Sequence, residues 1–188
     1  MAKKVIVAGL LGGVALMVWM FVVNGVFGFH SRLEMKEITA ERVVYEMLKE
    51  QVTEPGRYIV NPAVDDEGRY PAGEPVFSVL FGGMGHEKAG LLMLVGLVVF
   101  ILAPMLGAWM LSRASDRVLS SYPRKVVFFL VLGIQFALVS DMMAFGIGGY
   151  PLKDVILLGL NHIGAWTVVG LVVAWRITPD GADRRRRA

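Results

Sequence analysis

The chain has 188 residues, of which 55% are hydrophobic and 19% are charged, and it contains no cysteine. Without cysteine the chain has no disulfides, no thiolate catalysis, no iron–sulfur cluster and no cysteine-type zinc site. The formal net charge of +3 comes from basic residues beside apolar segments. That placement favours an orientation signal in a membrane over nucleic-acid binding, and we expect no nucleic-acid partner.

Four apolar blocks, each about twenty residues long, follow one another along the chain; this length spans the roughly 30 Å core of a bilayer. Backbone groups in hydrocarbon must be hydrogen-bonded within the segment, so the blocks are predicted to be helices. The blocks are Val5–Phe29, Ala89–Leu111, Val126–Ile147 and Val155–Trp175. The predicted fold class is an all-α membrane protein, a four-transmembrane-helix bundle with a small α+β extracytoplasmic insertion between helices 1 and 2.

Lys3 and Lys4 precede the first apolar block, and a signal peptide likewise has basic residues before its apolar core. The block's apolar stretch is longer than a typical signal-peptide core, and no A-x-A-like site precedes the polar turn expected at His30–Ser31. We therefore predict an uncleaved signal anchor. The resulting organisation is transmembrane helix 1 over 1–29, an extracytoplasmic domain over 30–88, transmembrane helices 2–4 over 89–176 and a basic tail over 177–188.

Basic residues at the block ends predict the orientation of the helices. Segment 29–88 holds seven basic and eleven acidic residues, whereas the tail carries the run Arg184–Arg187. This asymmetry predicts both termini in the cytoplasm and segment 30–88 outside a bacterial plasma membrane. The arginine run is expected to contact anionic lipids of the inner leaflet.

The extracytoplasmic segment shows three regular elements. Apolar residues at helical spacing from Ile38 to Val52 predict a helix, with Thr39 as its N-cap. Arg57–Val60 and Val76–Phe81 read as short strands separated by turn-forming residues. One helix and two strands form too small a core to be stable alone.

Polar groups inside the apolar blocks are costly, so each of them is a candidate functional residue. Those that stand out are Asn24, Gln135, Asp141, Asn161 and His162. Asp141 follows Lys125 by sixteen residues, about 24 Å of helix, and His162 follows Asp154 by eight, about 12 Å. Both therefore lie in the outer half of the bilayer at similar heights. We predict that they form a hydrogen bond or an ion pair, with Asn161 and Asn24 as possible additional members.

Two interpretations of this polar cluster stay open. One is a proton relay, or a ligand site in which the aspartate orients the histidine. The other is that the polar contacts hold the helices together and fix their register.

Glycines are spaced in ways that permit close helix packing. Gly9 and Gly13 share one face of the first helix, while Gly159, Gly164 and Gly170 lie along the last. These spacings predict helix–helix contacts, either within the chain or with a partner subunit.

Signals for chemistry are weak. His30, His86 and His162 fall on the outer side, and Met84 and Glu87 flank His86, but no two histidines share a helix at metal-ligand spacing. No hydrolase, zincin, Walker or dinucleotide motif is present. We therefore predict a protein that is not an enzyme, with no metal and no cofactor.

Several short motifs nonetheless occur together in order along the chain. They are Ala8–Gly13 with Trp19, Glu54–Tyr58 with Pro62, Gly164–Trp166 and Gly170–Trp175. In these the sequence resembles a group of uncharacterised bacterial four-helix inner-membrane proteins. That resemblance implies a bacterial plasma membrane and the same four-helix plan, and it implies no activity. The chain departs from the group's last motif by placing Asn161 and His162 just before Gly164.

The sequence as a whole favours a non-catalytic membrane protein. It would be an accessory or structural subunit of a larger complex, or a homo-oligomer. One alternative is a small proton-coupled transporter that uses Asp141 and His162. Another is a redox or pigment-associated subunit with His162 as a ligand.

Overall fold

A computed structural model describes residues 2–83, 85–146 and 149–179 of the chain. The helices are α1 (Ala2–Met20), α2 (Phe29–Glu34), α3 (Glu41–Gln51), α4 (Ala89–Ser112), α5 (Asp116–Leu119), α6 (Tyr122–Phe136), α7 (Met142–Gly146) and α8 (Leu152–Arg176). Two strands, β1 (Gly56–Val60) and β2 (Phe77–Phe81), pair antiparallel with Gly56 opposite Phe81. Met84, the Arg184–Arg187 run and the predicted third-block end at Ile147 lie outside the described residues, as does the side chain of His86.

Four helical stretches are long and apolar enough to cross a membrane. They are Ala2–Val26, Ala89–Ser112, Tyr122–Ala144 and Leu152–Arg176. The first and third include π-helical segments, at Phe21–Val26 and at Ala137–Asp141. The predicted number and order of membrane-length helices is thus confirmed.

The first long helix ends earlier than predicted. Gly28 adopts a left-handed conformation with φ of 61° and starts the separate short helix α2. The left-handed region is one that residues with a Cβ atom rarely adopt, so glycine provides the break. The polar turn predicted at His30–Ser31 is wrong, because both residues lie inside α2.

Helix α8 is the centre of the long-helix bundle, since it packs against both α1 and α6. Helix α4 joins the core through its second half, where Pro104, Gly107, Ala108 and Leu111 are buried. The helix continues through Pro104, and membrane-length helices tolerate an internal proline. The buried core consists of Val5, Ala8, Ala108, Leu111, Leu119, Phe129, Val169, Val173 and Ile177.

Glycines on α1 allow it to approach α4 closely. A Cβ atom placed on Gly9 would lie 2.6 Å from Met105 Cα, and one on Gly13 would lie 2.9 Å from the Phe100 carbonyl oxygen. Because the nearest atom at each glycine belongs to the backbone, a larger residue would push the helices apart. The two glycines predicted to mediate packing therefore contact a helix of the same chain.

Side chains of the same chain also pack against the glycines of α8. A Cβ atom on Gly164 would lie 2.9 Å from the Trp19 ring, and one on Gly170 would lie 2.5 Å from Phe129 Cβ. Gly133 on α6, which the sequence analysis missed, makes a comparable contact. Its Cβ atom would lie 3.0 Å from Ile163 Cα.

Residues 36–90 form a second compact unit, separate from the bundle. It contains α3 and the β1–β2 pair, which confirms the predicted helix and strands. Thr39 as N-cap is wrong, because Ala40 occupies that position and no side chain there caps the helix. No described residue between 36 and 90 is buried, so this unit has no hydrophobic core of its own.

Candidate functional site

Asp141 and His162 meet across the interface between α8 and the helix formed by α6 and its π-helical extension. Nδ1 of His162 lies 2.8 Å from Oδ2 of Asp141. The contact forms as expected from the two depths inferred from the sequence. Only 8% of the Asp141 side chain and 22% of the His162 side chain are exposed.

The π-helical segment Ala137–Asp141 explains how α6 delivers two side chains to the same histidine. In a π-helix the hydrogen bond runs from residue i to i+5, so residues five apart come close to sharing a face. Phe136 and Asp141 are such a pair. The Phe136 ring meets the His162 ring edge-on, with centroids 4.9 Å apart and planes at 80°. Wide turns of this kind occur frequently at functional sites.

Gly159 makes room for the carboxylate, three residues before His162 on α8. A Cβ atom at Gly159 would lie 3.6 Å from Asp141 Oδ2 and 3.3 Å from Ala137 Cβ. Gly159 therefore packs against the third span, as predicted, and it does so directly beside the Asp141–His162 pair.

The protonation state of this pair determines its charge. When Asp141 is ionised it can only accept hydrogen bonds, so His162 donates Nδ1–H to it. With a neutral imidazole the pair carries one negative charge, and one further proton makes it neutral. Histidine is the side chain best suited to such a change near neutral pH. The arrangement can therefore bind and release one proton, or hold a cation in its place.

Asn161 does not join the pair, which corrects the expectation from sequence. Its Oδ1 atom instead accepts a hydrogen bond from Trp19 Nε1 at 2.9 Å. Successive helical residues point about 100° apart. His162 accordingly contacts the α6 side, while Asn161 is directed at α1. Asn24 also lies apart from the pair, with its Nδ2 atom 3.9 Å from Met20 Sδ.

Two buried amide atoms in this region lack a hydrogen-bond partner among the described residues. They are Asn161 Nδ2, a donor, and Asn24 Oδ1, an acceptor. Each such group costs roughly 1–3 kcal/mol when left unpaired, and water is the usual partner for groups of this kind. The amide groups of Asn161 and Asn24 therefore retain hydrogen-bonding capacity beyond the Trp19–Asn161 contact.

A groove opens beside Asp141 on the surface of the bundle. It has a volume of about 190 Å³ and is lined by apolar side chains from the two helices, among them Ile134, Leu138, Ile156 and Leu160. Among the described residues that line it, Asp141 is the one with an ionisable side chain. An apolar groove with one acidic group is suited to an amphiphilic ligand.

Basic residues at the opposite end of the bundle make contacts that sequence reasoning missed. Lys125 is buried and donates from Nζ to the Ile177 carbonyl oxygen at 2.7 Å. Lys4 Nζ donates to Thr178 Oγ1 at 3.0 Å. Cations at the C-terminal end of α8 interact favourably with its dipole. In the sequence, the position of these lysines beside apolar blocks indicates the orientation of the helices in a membrane but does not predict the contacts that the lysines make.

Histidine, aspartate and glutamate side chains do not gather into a metal site in the described part of the chain. Within residues 2–83, 85–146 and 149–179, no group of three or more of these side chains is placed to hold a metal ion. His30 contacts Glu34 on the same short helix α2 and is separate from His162.

No protein-family model matches this chain, and no curated protein or solved structure matches it. The resemblance to uncharacterised bacterial inner-membrane proteins therefore stays a prediction.

Proposed function

We propose that the chain is an integral protein of the bacterial plasma membrane, with both termini in the cytoplasm and residues 36–90 outside. Four helices of sufficient length and hydropathy support this proposal. Lysines 3 and 4 in the first turn of the first span and Arg176 at the end of the last provide the basic flanks of the cytoplasmic side. The Arg184–Arg187 run would add contacts with anionic lipid on that side.

Within the membrane we propose a non-catalytic role as an accessory or structural subunit of a larger complex or of a homo-oligomer. The observation that carries this role is Gly96 on α4. Nothing lies within 4 Å of the position that its Cβ atom would occupy, whereas glycines 9, 13, 133, 164 and 170 all meet a neighbouring helix. Glycine inside a membrane helix typically marks a site of close helix approach.

The first half of α4 is exposed around Gly96. Leu91, Met93 and Val95 are between 54% and 76% exposed, and the buried residues of this helix begin at Pro104. Lipid can cover such side chains, but lipid gives no reason for a glycine among them. A partner helix seated at Gly96 accounts for both features.

The unit formed by residues 36–90 provides a second, independent argument. It buries none of its described residues, yet Ile59, Phe77 and Leu80 are each more than half exposed. A two-stranded sheet with no hydrophobic face covered is at best marginally stable in water. A protein partner that covers these side chains would supply the missing core.

The subunit role can be tested with Gly96→Leu and the control Val95→Leu on the same turn. A Cβ atom at Gly96 would meet nothing within 4 Å, so we expect the single chain to tolerate a larger side chain there. Native mass spectrometry after mild detergent extraction should show wild type and Val95→Leu in an assembly and Gly96→Leu as a monomer. A strictly monomeric, partner-free wild type would contradict the proposal, whereas either a second copy or another membrane protein as partner would support it.

The Asp141–His162 contact favours a second candidate function, that of a small proton-coupled transporter. A carboxylate and an imidazole 2.8 Å apart form a unit that exchanges one proton. Asp141 lies at the end of a π-helical segment and beside an open groove. Ionisable groups inside membrane helices commonly mark such pathways.

This second function predicts that His162 senses pH through its contact with Asp141. The ring signals of His162 in an NMR spectrum should respond to pH in wild type, and the response should change in Asp141→Asn. Asp116→Asn, on the short helix α5, is the matched control and should leave the response unchanged. A His162 signal that ignores pH in all three proteins would exclude a proton-exchanging pair.

A further inference from the structure

The groove beside Asp141 combines three features that together indicate a ligand. It is lined by apolar side chains, Asp141 is among its lining residues, and its volume of about 190 Å³ is several times the share of about 30 Å³ that one water molecule has in the liquid. The carboxylate itself is more than nine-tenths buried. Among the described residues, His162 provides the side-chain hydrogen bond to it.

We infer that this groove binds a lipophilic monovalent cation, a primary ammonium with an alkyl chain, in competition with the proton of the Asp141–His162 pair. The inference rests on the second function proposed above and names the substrate class of that site. The ammonium group would donate to Asp141, while the chain would lie along Ile156 and Leu160. Charge determines the choice of ligand, since a pair with neutral histidine has one negative charge that an alcohol or a fatty acid would not neutralise.

The exchange balances in both charge and protons. The neutral, protonated pair releases one proton as the ammonium ion binds, and the pair returns to its singly negative form. No bond is made or broken other than that to the proton. Lower pH should therefore weaken binding of the cation, because protons compete for the same site.

Other ionisable groups around the site are few. Helix α1 has none between Lys4 and its end, and α4 has none along its length. The third span contributes Asp141 beyond Tyr122, Arg124 and Lys125 at its start. Helix α8 contributes His162 in contact, Asp154 and Lys153 about two turns away, and Arg176 at its far end. His162 is thus the neighbouring group that competes with a bound cation for Asp141.

The inference can be tested on the full chain in a nonionic detergent by calorimetric titration with octylammonium and, separately, with 1-octanol. The two probes have the same chain length and both donate a hydrogen bond, so their difference isolates charge. We expect wild type to bind octylammonium at least about tenfold more tightly than octanol. This preference should weaken as the pH falls.

Three variants locate the site. Asp141→Asn should abolish the preference for the cation. Ile156→Trp should fill the groove and weaken both probes without changing the charge, so it remains informative if Asp141→Asn fails to fold. Leu171→Trp is the control on the same helix, as its side chain is 45% exposed against 49% for Ile156 but lies outside the groove.

Failure of this inference is distinguishable from failure of the proton-coupled function. Equal affinity of wild type for octylammonium and octanol, or a preference that survives in Asp141→Asn, would overturn the cation site. If His162 still responded to pH, the proton-exchanging pair would stand without this ligand. If neither behaviour were found, both proposals would be wrong.

Discussion

Trp19 donates its indole N–H to the side-chain oxygen of Asn161, at 2.9 Å across the interface between α1 and α8. Asn161 is buried, with 7% of its surface exposed. Gly164, one turn further along α8, leaves the space that the tryptophan ring occupies. A tryptophan in an apolar environment requires an acceptor for its N–H, and Asn161 supplies it.

Replacing Trp19 with phenylalanine should destabilise the fold by about 1–2 kcal/mol, because both polar groups of Asn161 would then be buried without a partner. The free energy of unfolding in a detergent–denaturant mixture measures this. Trp175→Phe is the matched control, since that side chain is 70% exposed. Equal stability of Trp19→Phe and the wild type would mean that the hydrogen bond contributes nothing.

Asp141 and His162 should show energetic coupling in a double-mutant cycle. Asp141→Asn, His162→Gln and the double variant should give a coupling free energy of about 0.6–2 kcal/mol, the range of polar contacts between membrane helices. The same unfolding assay measures it. A coupling energy of zero would remove the pair from any functional account.

Alanine should have opposite effects at two glycines. At Gly133 the added methyl group would lie 3.0 Å from Ile163 Cα, so overpacking should destabilise the fold by about 1–3 kcal/mol. At Gly96 the space is open, so alanine should stabilise a monomer by about 0.5–1 kcal/mol through its higher helix propensity. Unfolding of both variants in the same detergent tests this contrast, and equal effects at the two positions would be inconsistent with the described packing.

Residues 36–90 expressed alone should not fold. The unit buries no described residue, so it lacks the apolar burial that offsets conformational entropy. Circular dichroism on heating should show no cooperative transition. A sharp transition in the isolated unit would indicate a core that the described residues lack, and it would weaken the argument for a protein partner.

Much of the fold follows from the sequence by simple physical rules. The length and hydropathy of the four blocks predict the four long helices, because a membrane-length apolar helix needs little else. The similar depths of Asp141 and His162 follow from helix rise, since both can be counted from charged residues at the block ends. These features depend on composition and distance along one helix.

Features that depend on rotation about a helix axis were not predictable in this way. The depth of Asn161 is close to that of His162, which is why the sequence predicts that it joins the pair. The helix that its side chain faces, however, depends on rotation about the axis of α8. The π-helical segment that brings Phe136 and Asp141 to one face has no sequence signature comparable to an apolar block. Gly133 looks like any other glycine in an apolar run until Ile163 is found opposite it.

The proposals above all require a chain that crosses the bilayer four times with residues 36–90 outside. Because the chain has no cysteine, single cysteines at positions 63, 120 and 153 report the side of the membrane on which each lies. Ala63→Cys and Lys153→Cys should react with a membrane-impermeant maleimide on intact cells, whereas Ser120→Cys should react only after permeabilisation. Labelling of Ser120→Cys from outside, or residues 63 and 153 on opposite sides, would contradict the four-span arrangement.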